Sequence, residues 1–227
     1  MQKYKVIYED NHLLIVDKPA GVLAQGDKTG DFTLIDLYKK YIKDTYKKPG
    51  NVFLGLVHRI DRPVSGLVVL AKTSKALERM TKLFERREIS KTYWAIVKTR
   101  PPMEEAVLTH WLLKDRQKNI ARVHKSDKKK KKKAILEYHF LGRIGEFYLL
   151  QVKPLTGRPH QIRAQLAVIG CPIVGDVKYG FPKANRDGSI QLHAKALEFL
   201  HPVKREMINA DSAPENNEMW NLFRGFQ

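Results

Sequence analysis

The chain has 227 residues, 43% of them hydrophobic and 29% charged, with 42 Lys or Arg against 24 Asp or Glu and a net charge of +18. This balance excludes a disordered tail and a fibrous repeat and predicts one domain with its own core. No apolar run approaches the roughly 18 residues of a membrane span, the start MQKYKVIYED lacks a signal peptide's apolar stretch, and the single cysteine, Cys171, excludes an internal disulfide and fits a reducing cytoplasm.

In chain order, Val6–Tyr8 and Leu13–Val16 read as two short strands around an Asp10-Asn11 turn. Leu34, Leu37, Tyr38 and Tyr41 recur at helical spacing. Gly66–Ala71 is a buried-strand run, and Ser74 is the expected N-cap of a helix to about Arg87 with Leu77, Met80 and Phe84 on one face. Strands are expected at Thr92–Val97, Val107–Leu112, Ala134–Phe140 and Phe147–Val152. Pro159 suits the first turn of a helix that Gly170 ends. Regular βαβ spacing is missing, so the pattern predicts a mixed α/β fold: a central, mainly antiparallel sheet flanked by helices.

So basic a chain favours polyanionic partners, and without an anchored amphipathic segment nucleic acid is preferred to a membrane. Residues 114–133 hold eleven Lys or Arg against two Asp, half of the net charge, and end in six lysines, Lys128–Lys133. This stretch reads as a basic loop, either merely solvated or a phosphate-binding arm.

No Walker loop, GxGxxG, HExxH, CxxC or GxSxG occurs. Three other segments place polar residues where burial is costly. His58-Arg59-Ile60-Asp61-Arg62, leading to Ser65-Gly66, sits between two apolar runs, with Asp61 between two arginines. It reads equally as a salt-bridged turn and as a catalytic cluster. Thr156-Gly157-Arg158-Pro159-His160-Gln161-Ile162-Arg163 is a glycine turn entering a helix, suited to an anion or simply a solvated basic start. In Lys91-Thr92-Tyr93-Trp94-Ala95 the two aromatics face opposite sides of a strand, so one can be core while the other meets a ligand.

Together these segments resemble the RluA family of RNA pseudouridine synthases. Tyr8–His12 with Asp17–Gly21 resembles the family's opening, His58–Asp61 with Ser65-Gly66 its catalytic signature, Lys91–Ala95 its tyrosine strand and Gly157–Arg163 its arginine helix. Pro172–Asp176 with Tyr179-Gly180, then Leu192–Ala194 with His201-Pro202, resemble its closing segments. The resemblance implies the pseudouridine synthase fold, two subdomains around a cleft. It implies that the N1–C1′ bond of a uridine in RNA is broken, the uracil turns and C5 joins C1′, without cofactor or metal. Asp61 is then the essential carboxylate, attacking the ribose or removing its C2′ proton. Arg163 pairs with Asp61, and Tyr93 stacks on the uracil and assists loss of the C5 proton. The target base must be flipped out, with Arg59 a candidate wedge. His58 supports the loop, and it joins Arg62, Lys91, Arg158 and His160 as the expected substrate-binding set.

Two departures stand out. Val64 occupies a position where the family commonly has Thr, and the chain is expected to be a single catalytic domain over residues 1–227 without the N-terminal S4-type domain of many relatives. The expected partner is structured ribosomal or transfer RNA, met by a cytoplasmic monomer away from any membrane. A non-catalytic RNA-binding protein on the same fold is the alternative from another class, and the presence of Asp61, Tyr93 and Arg163 weighs against it. An N-glycoside hydrolase would need a second carboxylate, which none of the three segments supplies. A DNA-binding regulator lacks its recognition-helix pattern.

Overall fold

The computed structural model describes residues 4–26, 30–127 and 131–226. The strands and helices run β1 (Val6–Glu9), β2 (Leu13–Lys18), α1 (Leu34–Tyr46), β3 (Gly55–Leu56), β4 (Ser65–Ala71), α2 (Ser74–Arg86), β5 (Ser90–Val97), β6 (Glu105–Asp115), β7 (Ile120–His124), β8 (Lys132–Ile144), β9 (Phe147–Pro154), α3 (Gln161–Val168), β10 (Leu192–Leu200), β11 (Met207–Asp211) and α4 (Glu218–Leu222). They form two compact units, Met1–Ser90 with Ala194–Pro214, and Lys91–His193 with Glu215–Gln227. The mixed, mainly antiparallel architecture expected from the sequence is the one observed.

In the first unit β2 pairs antiparallel with both β1 and β4, and β10 and β11 form an antiparallel hairpin. Leu13–Val16 and Leu67–Ala71 are fully buried at every position. Strands covered on both faces need no polar alternation, which is why these two runs read as unbroken apolar stretches. One face of this sheet, through Leu13, Ile15, Leu67 and Val69, packs on Ala76 and Met80 of α2 and on Leu197 and Phe199 of β10. Leu77 and Phe84 join the same cluster, so the expected apolar face of α2 holds.

The cap of α2 is Thr73 rather than Ser74: its backbone is extended and its hydroxyl accepts the Ala76 amide at 3.1 Å. Either residue can cap, and burial of Ala76 and Met80 sets the phase of the helix one residue earlier. In α1 Thr33 and Asp36 complete a reciprocal capping box, and the buried seam is Leu34, Tyr38 and Ile42.

The second unit is an antiparallel sheet in the order β5-β9-β8-β6-β7. Helix α3 lies on one face, with Ala164 against Leu112, Ala121 and Ala134. Trp220 and Phe223, from the C-terminal stretch around α4, join Trp94, Ile96 and Leu149 in a separate cluster.

The expected basic loop at 114–133 is largely a hairpin. β6 runs to Asp115, a turn with Asn119 at positive φ follows, and Ala121–Val123 pairs back on β6. β8 then begins at Lys132, so Lys132 and Lys133 are strand residues. Ladder pairing and burial of Leu112 and Ala121 outweigh the repulsion between neighbouring cations. Lys128–Lys130 lie outside the described residues.

Pro159 precedes α3 by two positions instead of opening it. The Gln161 side chain accepts the Arg158 amide at 3.0 Å and the Thr156 hydroxyl at 2.7 Å, which folds 156–160 into a turn of its own.

Candidate active site

Asp61 sits half-buried in a turn closed by the Val64 amide on the Asp61 carbonyl at 3.0 Å. On either side the chain is pinned. Ile60 and Val64 are buried, the latter filling apolar space where the family's Thr would bring a hydroxyl. Gly66 has φ +111°, and a Cβ there would lie 2.4 Å from the Ala194 carbonyl oxygen, so only glycine fits.

The polar neighbours of Asp61 divide sharply. His58 accepts the Val69 amide on Nε2 at 3.1 Å and stacks on Phe84 with ring centroids 4.6 Å apart. These contacts tie His58 to β4 and α2. Arg62 donates from Nε to the Gly21 carbonyl at 2.9 Å and pairs through Nη1 with Asp31 at 2.9 Å. It staples the 61–64 turn to the preceding segment. Arg59 is exposed.

Beneath this turn lies Lys18, fully buried, whose ammonium donates to the carbonyls of Pro19, Val22 and Arg62 at 2.9, 2.9 and 3.2 Å. Three donors on three acceptors satisfy the charge-bearing group. Sequence reasoning had the Lys18 segment but no role for it, because a lysine ordinarily reads as surface.

In the second unit, Tyr93 pairs with Val152 on β5 and is half-exposed, while its neighbour Trp94 faces the opposite side and is buried. The expected division of the two aromatics is therefore observed. Lys91 stands near the start of the same strand and is partly exposed.

Arg163 is 5% exposed on α3. Its Nε and Nη2 donate to the two carboxylate oxygens of Asp176 at 2.7 and 2.8 Å, and Asp176 is itself 1% exposed. The guanidinium also lies 5.0 Å from the centre of the Tyr179 ring. Arg158 donates from Nε to the Lys133 carbonyl at 3.0 Å, and His160, in a left-handed conformation, holds the Tyr179 hydroxyl on Nδ1 at 2.8 Å. The start of α3 thus braces its own unit at several points. Asp176 and Tyr179 were missed as site residues. The signal for Asp176 is an acid that follows the apolar Ile173-Val174, in a chain whose buried arginine needs a carboxylate.

A depression of about 430 Å³ on β6, β8 and β9, lined by residues that include Glu105, Val107, Glu137 and Lys153, contains none of the expected site residues.

The comparisons agree with one another. A family model described as RNA pseudouridylate synthase matches residues 12–168. The ribosomal large subunit pseudouridine synthase C of Vibrio cholerae is 33% identical over 89% of this chain and 63% of its own length. A Buchnera aphidicola protein of the same name is 34% identical over 90% of this chain and 65% of its own. This chain therefore spans just under two thirds of those relatives. An uncharacterised RNA pseudouridine synthase of Bacillus subtilis is 31% identical over 98% of this chain and 72% of its own. The solved human RNA pseudouridylate synthase domain containing 4 superposes with a TM-score of 0.81 at 22% identity, over 97% of this chain and 92% of that one, a likeness of fold.

Proposed function

The chain belongs to the RNA pseudouridylate synthase family, and from that membership we propose that it isomerises uridine to pseudouridine in RNA. The observation that carries this reading is the presence of Asp61, Tyr93 and Arg163 within the matched segment, each on a braced element. Asp61 serves as the essential carboxylate at the ribose. In this proposal Arg163 is the guanidinium partner of that carboxylate. Tyr93 stacks on the flipped uracil and helps remove the C5 proton as C5 replaces N1 on C1′. The N1 position gains a proton, so atoms balance without any co-reactant. Arg59 fills the vacated stack, and Lys91 and Arg158 meet the substrate.

The names of the relatives make large-subunit ribosomal RNA the first substrate to test, with transfer RNA second. The protein acts as a cytoplasmic monomer in this proposal, and its lone, buried Cys171 suits a reducing compartment. No helix among the described residues is long and apolar enough to cross a membrane.

The test is pseudouridine mapping by a carbodiimide stop assay on total RNA from cells with and without the gene. One or a few sites are expected to vanish on deletion and to return with the wild type but not with Asp61→Asn, which still binds RNA. Purified protein that turns over neither ribosomal nor transfer RNA would favour a binding role instead.

A further inference from the structure

We propose that Asp176 and Tyr179 are positioning residues that fix the guanidinium of Arg163 for the isomerisation, an inference that rests on the functional reading above. Arg163 is restrained in two independent ways. The Asp176 carboxylate grips one edge of the guanidinium at 2.7 and 2.8 Å, and a two-bond fork of this kind sets orientation as well as distance. The Tyr179 ring, 5.0 Å from the guanidinium carbon, adds a cation–π contact.

Both restraints come from one short piece of backbone. Asp176 precedes a 3-10 turn over Val177–Tyr179, and the Tyr179 amide donates to the Asp176 carbonyl at 3.0 Å. Asp176 caps this turn and Tyr179 closes it, so one short segment presents both the carboxylate and the ring to the guanidinium. Gly175, at φ +86°, lets this turn press against its neighbours: a Cβ there would lie 2.6 Å from the Asn185 Nδ2 and 2.8 Å from the Ser189 carbonyl oxygen.

Tyr179 is anchored in turn. Its hydroxyl accepts the Ala121 amide of β7 at 2.7 Å and meets His160 Nδ1 at 2.8 Å. An amide can only donate, so the hydroxyl's own hydrogen is available to His160. The setting of Arg163 is thereby tied to β7, on the hairpin that carries the basic stretch. A buried ion pair adds little stability over apolar neighbours of the same volume. What it adds here is one orientation of one guanidinium.

The test measures kcat and KM on the mapped RNA for Asp176→Asn, Asp176→Glu and Tyr179→Phe, each alone and in the Arg163→Lys background. Misaligning a group needed in the transition state lowers kcat, so Asp176→Asn is expected to lose about 100-fold in kcat with KM within about threefold. Asp176→Glu should recover part of that loss, and Tyr179→Phe, which keeps the ring, should cost about tenfold in kcat. Lysine cannot supply the two parallel N–H donors of the fork, so in the Arg163→Lys background all three substitutions should add almost nothing. Should Asp176→Asn fail to fold, as judged by circular dichroism, the Tyr179→Phe cycle decides. Unchanged kcat in an otherwise active enzyme, or the same loss in both backgrounds, overturns the positioning role alone. A wild type without turnover on any RNA overturns the functional reading, and this inference with it.

Discussion

Lys18 shows how much a single side chain can be asked to do out of sight. With its ammonium fully buried on three main-chain carbonyls, it ties the Pro19–Val22 segment to the turn that carries Asp61. Lys18→Met keeps most of the volume but leaves three carbonyls without their donor. The expected cost is about 3–5 kcal/mol in urea denaturation, from the loss of charged hydrogen bonds and the desolvation left behind. A cost below about 1 kcal/mol would mean that water replaces the ammonium without loss. At this scale the sequence was legible wherever chemistry follows from residue type and alternation. Tyr93 and Trp94 separate onto opposite faces because strand side chains alternate. The pairings of Lys18, Asp176 and Tyr179 were not legible, because each includes at least one partner distant in the chain.

Among the elements, the basic hairpin departs furthest from expectation. A run of like charges reads as a loop when charge alone is weighed, yet β6, β7 and β8 carry buried Leu112, Ala121, Ala134 and Leu136 on one face and place cations on exposed positions. Lys132 and Lys133 therefore have a rigid backbone behind them. If they and Lys131 neutralise phosphates, replacing all three with Gln weakens RNA binding and flattens its salt dependence by about 0.7 in log–log slope for each phosphate set free. The measurement is a salt titration of the dissociation constant, and an unchanged slope would leave these lysines merely solvated. Helices α1, α2 and α3 were predictable in place but not in their starts, and α4 was not expected. The cap of α2 fell one residue early, and α3 began two residues after Pro159. Side-chain packing and the Gln161 bonds choose between local solutions of nearly equal merit.

Over the whole molecule, stability should fall on the acid side of neutrality. In the first unit the fully buried His201 accepts the Val203 and Lys204 amides on Nδ1, at 3.1 and 2.9 Å, and its Nε2 lies 3.1 Å from Asp10. Burial lowers the basicity of His201 below the ordinary 6.5, outweighing the attraction of Asp10, with Lys204 and His12 acting in the same direction as burial. Burial likewise lowers His110. A histidine kept neutral by the fold takes up its proton more readily when unfolded, so its stabilisation is complete above about pH 6.5 and is lost as pH falls below that value. Asp10 behaves differently. Burial pushes its carboxyl up, but the Leu13 and His12 amides and Lys204 together hold it well below the usual carboxylate range. Its contribution is present above about pH 4 and disappears only in stronger acid. Urea denaturation between pH 7 and pH 5 should therefore show a decline of up to about 1.4 kcal/mol per pH unit for each such histidine. His201→Asn, which offers an acceptor near Nδ1 but does not titrate, should flatten that decline. An equally steep acid limb in the variant would move the effect to other groups.

Composition and strand alternation were enough, without coordinates, to establish a mixed antiparallel fold and to favour a polyanionic partner, and the order of the short polar segments carried the resemblance to the family to which the chain belongs. These properties are local: apolar runs mark strands covered on both faces, and glycines mark turns and close approaches. What the tertiary structure alone decided is which charges are buried and on what. Lys18 meets Arg62 across 44 residues and Arg163 meets Asp176 across 13. No local pattern encodes such pairings, because a buried charge is tolerated only when the folded chain brings its partner to it.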